Sequence, residues 1–170
     1  LADIINSTPV LAKDGLDAGY GSSNGYSDFL LSKANRSNPM VFVGSNGGML
    51  HAFDVATGTE QFAFVPRGVL PELYRLAQQS YALSTSSHRF YVDGPLTEAD
   101  ALLSGQWQNL LIGSLGAGGK GLFALNLPVS PASGTEPALM WDLTGEPPSN
   151  ATVAQTEVAR DIGQIFSKAE

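Results

Sequence analysis

An internal repeat constrains the fold of this chain more than any other feature of its sequence. Two stretches, 40–55 and 110–127, share one order of elements: an apolar strand, Gly-Ser, a Gly-rich turn and a second strand. The second strand ends in Ala-Phe-Asp-Val in the first copy and in Ala-Leu-Asn-Leu in the other, and Gly-Thr-Glu follows at 58–60 and at 134–136. A further strand closes each copy, at 61–65 and at 138–143. Repeats of this length indicate an array of similar supersecondary units.

The starts of the repeats extend the pattern to both ends of the chain. The segments 3–9, 88–96 and 161–168 fill the same slot, and each is predicted to be the first strand of a unit. Strands 40–43 and 110–112 are apolar throughout, so both faces of each sheet need cover, which stacking around an axis provides. The sequence therefore predicts an all-β fold: a β-propeller fragment of about two four-stranded antiparallel blades plus the first strand of a third, with a short helical insert.

The predicted boundaries follow from the repeat. Blade one covers about 3–66, the helical insert about 67–87, blade two about 88–146, and the start of blade three about 158–170. Leu70, Leu73, Tyr74, Ala77 and Tyr81 recur at helical spacing, and Pro71 suits a first helical position, which predicts an amphipathic helix over 70–81. The polar stretch 14–37 is predicted to be a long loop. Both termini look like cuts inside a longer chain, and two blades alone are expected to be unstable because they leave apolar faces bare.

Turn chemistry supports the hairpins. Asn46-Gly47 predicts a type I′ turn, and Ala56-Thr57-Gly58 suits a three-residue hairpin with Gly in the left-handed conformation. The Gly-rich runs 46–48 and 116–121 could suggest phosphate cradles. A P-loop, however, needs Gly-Lys-Ser/Thr opening a helix, whereas Gly-Lys-Gly here precedes a strand. The last hairpin of blade two carries an insert at 128–133.

Charge and composition exclude several classes of function. The 170-residue chain carries a net charge of -7, and its arginines lie far apart in sequence, which argues against nucleic acid and anionic membrane surfaces. Cysteine is absent, which removes disulfides, thiol catalysis and Cys-ligated metals. No apolar run approaches the roughly 20 residues of a transmembrane helix.

Candidate site residues are few, and each has a structural interpretation. His51 and His88 are expected to lack a close carboxylate partner, they lack metal-ligand spacing, and no Gly-x-Ser-x-Gly elbow is present. Asp54 and Asp93 precede turns, where carboxylates cap amides, although Asp93 is the first choice if a site exists. Trp107 and Trp141 are expected to pack in the core. No catalytic, cofactor-binding or metal-binding residue is therefore assigned.

Five strings occur in order along nearly the whole chain: DIINSTPV at 3–10, VFVGSNGGMLHAFD at 41–54, FVPR at 64–67, HRFYVDG at 88–94 and GSLGAGGKGLFAL at 113–125. Together they closely resemble the C-terminal, quinoprotein-like propeller of the PilY/PilC family of type IV pilus assembly and tip-adhesin proteins. Trp141 sits where quinoprotein-type blades carry an interlocking Trp.

The resemblance implies an exported, non-enzymatic module at the bacterial cell surface, pilus or outer membrane. It implies a role in pilus extension against retraction and in twitching motility and cell adhesion. Its expected partners are pilus proteins, host or abiotic surfaces and the neighbouring blades of the same chain. Calcium binding by an Asp-rich loop is implied for some members. Asp14, Asp17, Asn24 and Asp28 have the wrong spacing for such a loop, so any calcium site is expected elsewhere in the parent propeller.

Two other functions stay open. One is a quinone-dependent dehydrogenase propeller, which only the generic blade signature supports and whose calcium, catalytic Asp and vicinal Cys pair cannot be assigned here. The other is an outer-membrane assembly scaffold, which shares the blade without a cofactor. The string at 88–94 favours the pilus family over this scaffold.

Overall fold

The fold consists of two four-stranded antiparallel sheets in a computed structural model, which describes residues 2–13, 17–81, 83, 88–129, 136–147 and 149–169. In the first sheet the strands lie in the order β1 (Val10–Ala12), β2 (Met40–Gly44), β3 (Leu50–Asp54) and β4 (Glu60–Phe64). The second sheet has the order β5 (Leu96–Leu103), β6 (Gln106–Ser114), β7 (Gly121–Leu127) and β8 (Ala138–Thr144). Sequential order and all-antiparallel pairing are those of a propeller blade, and neither sheet is closed. The fold-class prediction is confirmed.

The two sheets share one hydrophobic core. Phe42 and Leu50 of the first sheet and Leu111 and Phe123 of the second are fully buried, and the Phe64 and Phe123 ring centroids lie 5.3 Å apart. In β3 the buried residues Leu50 and Ala52 alternate with a less buried one, as the pleat of a sheet requires, whereas β2 and β6 bury consecutive residues because both of their faces are covered. The faces thus stack as neighbouring blades do.

The strands begin later than the repeat predicts. Residues 3–9 and 88–95 contain bends and belong to no strand, and β1 and β5 start at Val10 and Leu96. Their backbone instead bonds across to the β2–β3 turn: Asn46 N donates to Asp3 O (2.8 Å) and Val92 N donates to Ser45 O (3.3 Å). Pro9 and Pro95 have no N–H for the sheet ladder, so strand pairing starts after each proline.

The chain after the second sheet forms α2 (Val153–Asp161), which a Thr152–Gln155 capping box begins. The described residues 162–169 form no strand. Ser114 Oγ nevertheless donates to Ile165 O (2.9 Å). Ser114 is the serine of the Gly-Ser pair in the second repeat and corresponds to Ser45 in the first. This equivalence supports the prediction that a third blade starts near Ile165. The blade boundaries stay a prediction.

Two segments differ from their predictions. Residues 14–37 are not all loop, because α1 (Tyr26–Ala34) lies within them and buries Tyr26, Phe29 and Lys33 on one face. Residues Arg67–Ala77 form a 3-10 helix rather than an α-helix over 70–81. Pro71 lies inside this helix and supplies no backbone N–H to it.

The turns also differ in detail. The β2–β3 turn is not type I′, because its one left-handed residue is Gly48 (φ 87°), and Gly48 N donates to Ser45 O (3.2 Å). This is a type I turn followed by a left-handed glycine, the usual longer hairpin. Gly58 adopts the predicted left-handed conformation (φ 68°). The predicted insert at 128–133 falls largely on residues outside the described ranges.

Candidate functional site

The Gly-rich runs considered as phosphate cradles are both hairpin turns. Residues 46–48 join β2 to β3, and 116–121 lead from β6 into β7 through a single 3-10 turn, Gly116–Gly118. Gly118 packs directly on the segment that contains Tyr91. A Cβ added to Gly118 would lie 1.7 Å from the carbonyl oxygen of Tyr91. These glycines therefore serve close packing.

Both aspartates singled out by the sequence accept hydrogen bonds from backbone N–H groups. Asp54 accepts hydrogen bonds from Thr57 N and Thr57 Oγ1 (2.7 Å each) and from Ala56 N (3.1 Å), and the Thr57 bonds lower the pKa of Asp54. Asp93 is buried and accepts from Asn6 N (3.2 Å) and Asn6 Nδ2 (2.7 Å). Asp93 thereby ties the segment before β5 to the segment before β1.

Each histidine lies beside a carboxylate, so the prediction that neither has a close carboxylate partner was wrong. His88 Nε2 lies 3.0 Å from Asp3 Oδ2, although 85 residues separate them. His51 Nδ1 lies 2.6 Å from Glu60 Oε1, because β3 pairs with β4.

His51 also completes a Ser-His-Glu arrangement. Its Nε2 lies 3.0 Å from Ser45 Oγ, the order of contacts found in hydrolase triads. Ser45, however, is 2% exposed, and its hydroxyl oxygen accepts from Gly47 N (3.2 Å). A buried hydroxyl engaged with its own turn cannot reach an acyl substrate, so these contacts fasten β4 to the β2–β3 turn.

The candidate calcium ligands do not converge. Asp17 accepts from Gly19 N (2.8 Å), Asp28 lies in the first turn of α1, and Asn24 O accepts from Trp107 Nε1 (3.1 Å). Asp14 lies outside the described residues. Within the described ranges, no group of three or more His, Cys, Asp or Glu side chains is placed to hold a metal ion.

The most concentrated chemistry of the chain is a buried charge cluster between α1 and the second sheet, formed by Tyr26, Lys33, Arg36, Glu98, Asp100 and Asn109. Lys33 is fully buried, and its Nζ donates to both oxygens of Asp100 (2.8 and 2.9 Å) and lies 3.7 Å from Glu98 Oε1. A buried ammonium is tolerated only when carboxylates compensate for its lost hydration. The cluster therefore fixes α1 on β5.

Arg36 and Asn109 close the cluster on its other side. Arg36 Nη1 donates to Ala12 O (2.9 Å), and Arg36 Nη2 donates to Asn109 Oδ1. Asn109 Nδ2 in turn donates to Glu98 Oε1 (2.9 Å) and Asp100 Oδ1 (3.0 Å). Burial lowers the pKa of Arg36, and the two carboxylates oppose that shift. Two cations, one in α1 and one just after it, thus face two anions on β5.

Tyr26 links the charges to an aromatic layer. Its hydroxyl donates to Asp100 Oδ2 (2.7 Å) and accepts from Ala18 N (2.9 Å). Burial, and then the contact with Asp100, raise the pKa of Tyr26 to about 12. Its ring lies 4.5 Å from that of Trp107, which also contacts Tyr20 (4.9 Å) and Phe29 (6.1 Å) between centroids. Trp107 packs against these rings and Trp141 lies on β8, but both are only half-buried and neither is among the buried core residues, contrary to the prediction.

Most polar groups of the cluster bond to one another, although the buried Arg36 Nε has no hydrogen-bond partner among the described residues. The cluster therefore acts as a clamp between the blades. No sequence motif predicts the cluster, because the residues of α1 and Arg36 lie 67 to 74 residues from their partners in the second sheet. The alternation of Glu98 and Asp100 on one face of β5 and the i, i+3, i+7 spacing of Tyr26, Phe29 and Lys33 were the available signals.

Together, the face-to-face sheets and the clamp between them define a section of a β-propeller whose blades interlock through buried charges. A family model described as the PilY1 beta-propeller domain matches residues 1–170. The chain belongs to the PilY1 β-propeller family.

Relatives and a solved structure agree with this assignment. The type IV pilus biogenesis factor PilY1 of Pseudomonas aeruginosa (strain PAO1) is 42% identical over 151 residues, which cover 84% of this chain and 12% of that protein. A PilY1 homolog of Xylella fastidiosa (strain Temecula1) is 41% identical over 155 residues, which cover 86% of this chain and 10% of the relative. The chain therefore spans about a tenth of the length of these relatives.

The crystal structure of the Pseudomonas aeruginosa PilY1 C-terminal domain is 37% identical with a TM-score of 0.55, and covers 78% of this chain and 24% of that chain. The predicted family is thus confirmed. In the described part of the chain, no helix has the length and apolarity needed to cross a membrane.

Proposed function

We propose that this chain is a non-enzymatic propeller section of a type IV pilus biogenesis factor, and that the parent protein acts at the cell surface or the pilus. The observation that carries the proposal is the match of the whole chain to the PilY1 propeller family. The relatives above are named as type IV pilus biogenesis factors, which favours this function over a dehydrogenase or an outer-membrane assembly scaffold.

The geometry supports a scaffold role. The buried charges are neutralised by one another, the triad-like serine is inaccessible, and the Gly-rich runs are turns. Such a section supplies a rigid sheet stack and leaves function to its exposed surface and to the rest of the parent chain.

The finer role is extension of pili against retraction, together with surface attachment. Deletion of the parent gene is expected to abolish surface pili, as measured by immunoblot of pilin sheared from cells, and the full-length gene should restore them. If the protein opposes retraction, additional deletion of the retraction motor should return pili to the surface, while attachment to a solid surface should stay impaired.

Two results would contradict these roles. Normal piliation in the single deletion would refute a role in pilus biogenesis. Persistent loss of pili in the double deletion would refute opposition to retraction and would place the protein in assembly itself.

A further inference from the structure

The segment between the two sheets has a charge opposite to that of the rest of the chain. Residues 66–92 contain three arginines, one glutamate and no lysine or aspartate, within a protein of net charge -7. The arginines lie far apart in sequence, but the fold brings two of them to a single carboxylate. This region is therefore a local cationic surface on an anionic protein.

The carboxylate of Glu72 organises that surface. Arg75 Nε donates to Glu72 Oε2, and Arg89 Nη1 lies 2.7 Å from the same oxygen. Tyr91 Oη donates to Glu72 O (3.0 Å), which fixes the backbone that carries the carboxylate. Two guanidinium groups share one carboxylate, so a positive charge is left in excess and is held in a fixed position.

An exposed aromatic residue adjoins each of the two arginines in sequence. Tyr74 is 57% exposed, and the Arg75 guanidinium lies 5.2 Å from its ring centroid. Phe90 is 36% exposed and is held by an edge-to-face contact with His88 at 5.3 Å. We call Glu72, Tyr74, Arg75, Arg89 and Phe90 the Tyr74–Phe90 surface.

The support beneath this surface is rigid. The inner side of the 3-10 helix packs Leu73 and Leu76 on the shared core, and Leu73 lies against Gly48, where a Cβ would come within 2.3 Å of Leu73 Cδ2. Tyrosine and arginine are the residues that most often carry binding energy at protein interfaces, and anchors already held in place lose little entropy on binding.

We propose that the Tyr74–Phe90 surface docks an acidic segment of a partner protein, in which aromatic or aliphatic side chains alternate with carboxylates. The carboxylates would pair with Arg75 and Arg89, and the apolar side chains would cover Tyr74 and Phe90. The two arginines of this surface, in an anionic chain, are too few for a nucleic-acid footprint, so charge complementarity selects a protein segment. The inference names a partner class for the proposed scaffold and in that sense rests on the proposed function.

The test uses fluorescence anisotropy to measure how tightly the full-length parent protein binds a fluorescein-labelled peptide. In this peptide Glu alternates with Phe and Leu. Arg89→Glu should weaken binding about tenfold or more, because it reverses a charge at the surface. The matched control Arg160→Glu makes the same change on the exposed face of α2 and should alter Kd less than about twofold. Affinity should fall with added NaCl, since exposed charges are screened.

A second comparison does not depend on the folding of any variant. On the unmodified protein, the peptide with Gln in place of Glu should bind about tenfold more weakly, and Tyr74→Ala should weaken the acidic peptide as well. Equal binding of both peptides, equal losses from Arg89→Glu and Arg160→Glu, or tighter binding of single-stranded DNA of similar length would overturn the proposal. Piliation is scored separately in the deletion strain, so loss of peptide binding with normal pilus biogenesis would refute this surface and leave the pilus role intact.

Discussion

Replacing Lys33 with methionine tests whether the buried charge cluster clamps the blades. Methionine keeps the apolar stem and removes the ammonium, which leaves Asp100 buried without its ion-pair partner and Arg36 as the remaining cation of the cluster. Breaking a buried ion pair by removing one partner costs about 3–5 kcal/mol. Because whole domains are stable by about 5–15 kcal/mol, Lys33→Met is expected to remove a large share of the free energy of unfolding.

The assay is urea denaturation of the full propeller domain, monitored by tryptophan fluorescence. Trp107 reports on the cluster because it contacts Tyr26. Lys13→Met, at an exposed position, is the matched control and should change stability by less than about 0.5 kcal/mol. Adding Asp100→Asn to Lys33→Met removes both charges of the pair, so the double mutant should lose less than the sum of the single losses, by about 1–3 kcal/mol.

Two results would refute this reasoning. A loss below about 1 kcal/mol for Lys33→Met would mean that water or relaxation compensates the carboxylates. Additive single losses in the double-mutant cycle would mean that Lys33 and Asp100 are not energetically coupled.

Two further predictions follow from close packing and from ionisation. Gly118→Ala would place a methyl group against the backbone of Tyr91 and should cost about 3 kcal/mol or more, whereas Gly163→Ala meets nothing within 4 Å and should be nearly neutral; equal thermal midpoints would contradict the packing. The raised pKa of Tyr26 predicts that stability from its neutral form is complete below pH 10 and is lost as the pH rises towards about 12. The difference in absorbance at 295 nm between the unmodified protein and Tyr26→Phe should therefore titrate near pH 12, and a midpoint at pH 10 would show that Tyr26 is not buried against Asp100.

The sequence determined the parts of this protein that depend on short-range pattern. The repeat at 40–55 and 110–127 predicted two four-stranded sheets, because alternation and Gly-rich turns fix antiparallel hairpins locally. The same strings predicted the family. Local pattern was insufficient at 67–77, where residues at α-helical spacing form a 3-10 helix, and at 26–34, where a Gly/Ser-rich flank concealed α1.

Tertiary structure alone decided which charges meet. Lys33 and Asp100 are 67 residues apart, Asp3 and His88 are 85 apart, and Arg75 and Arg89 meet on Glu72 although their spacing in sequence suggests scatter. The physical reason is that a buried or shared charge is stabilised by whichever partner the sheet stack brings within hydrogen-bond reach. That proximity depends on how two blades face each other, which no periodicity within one strand encodes.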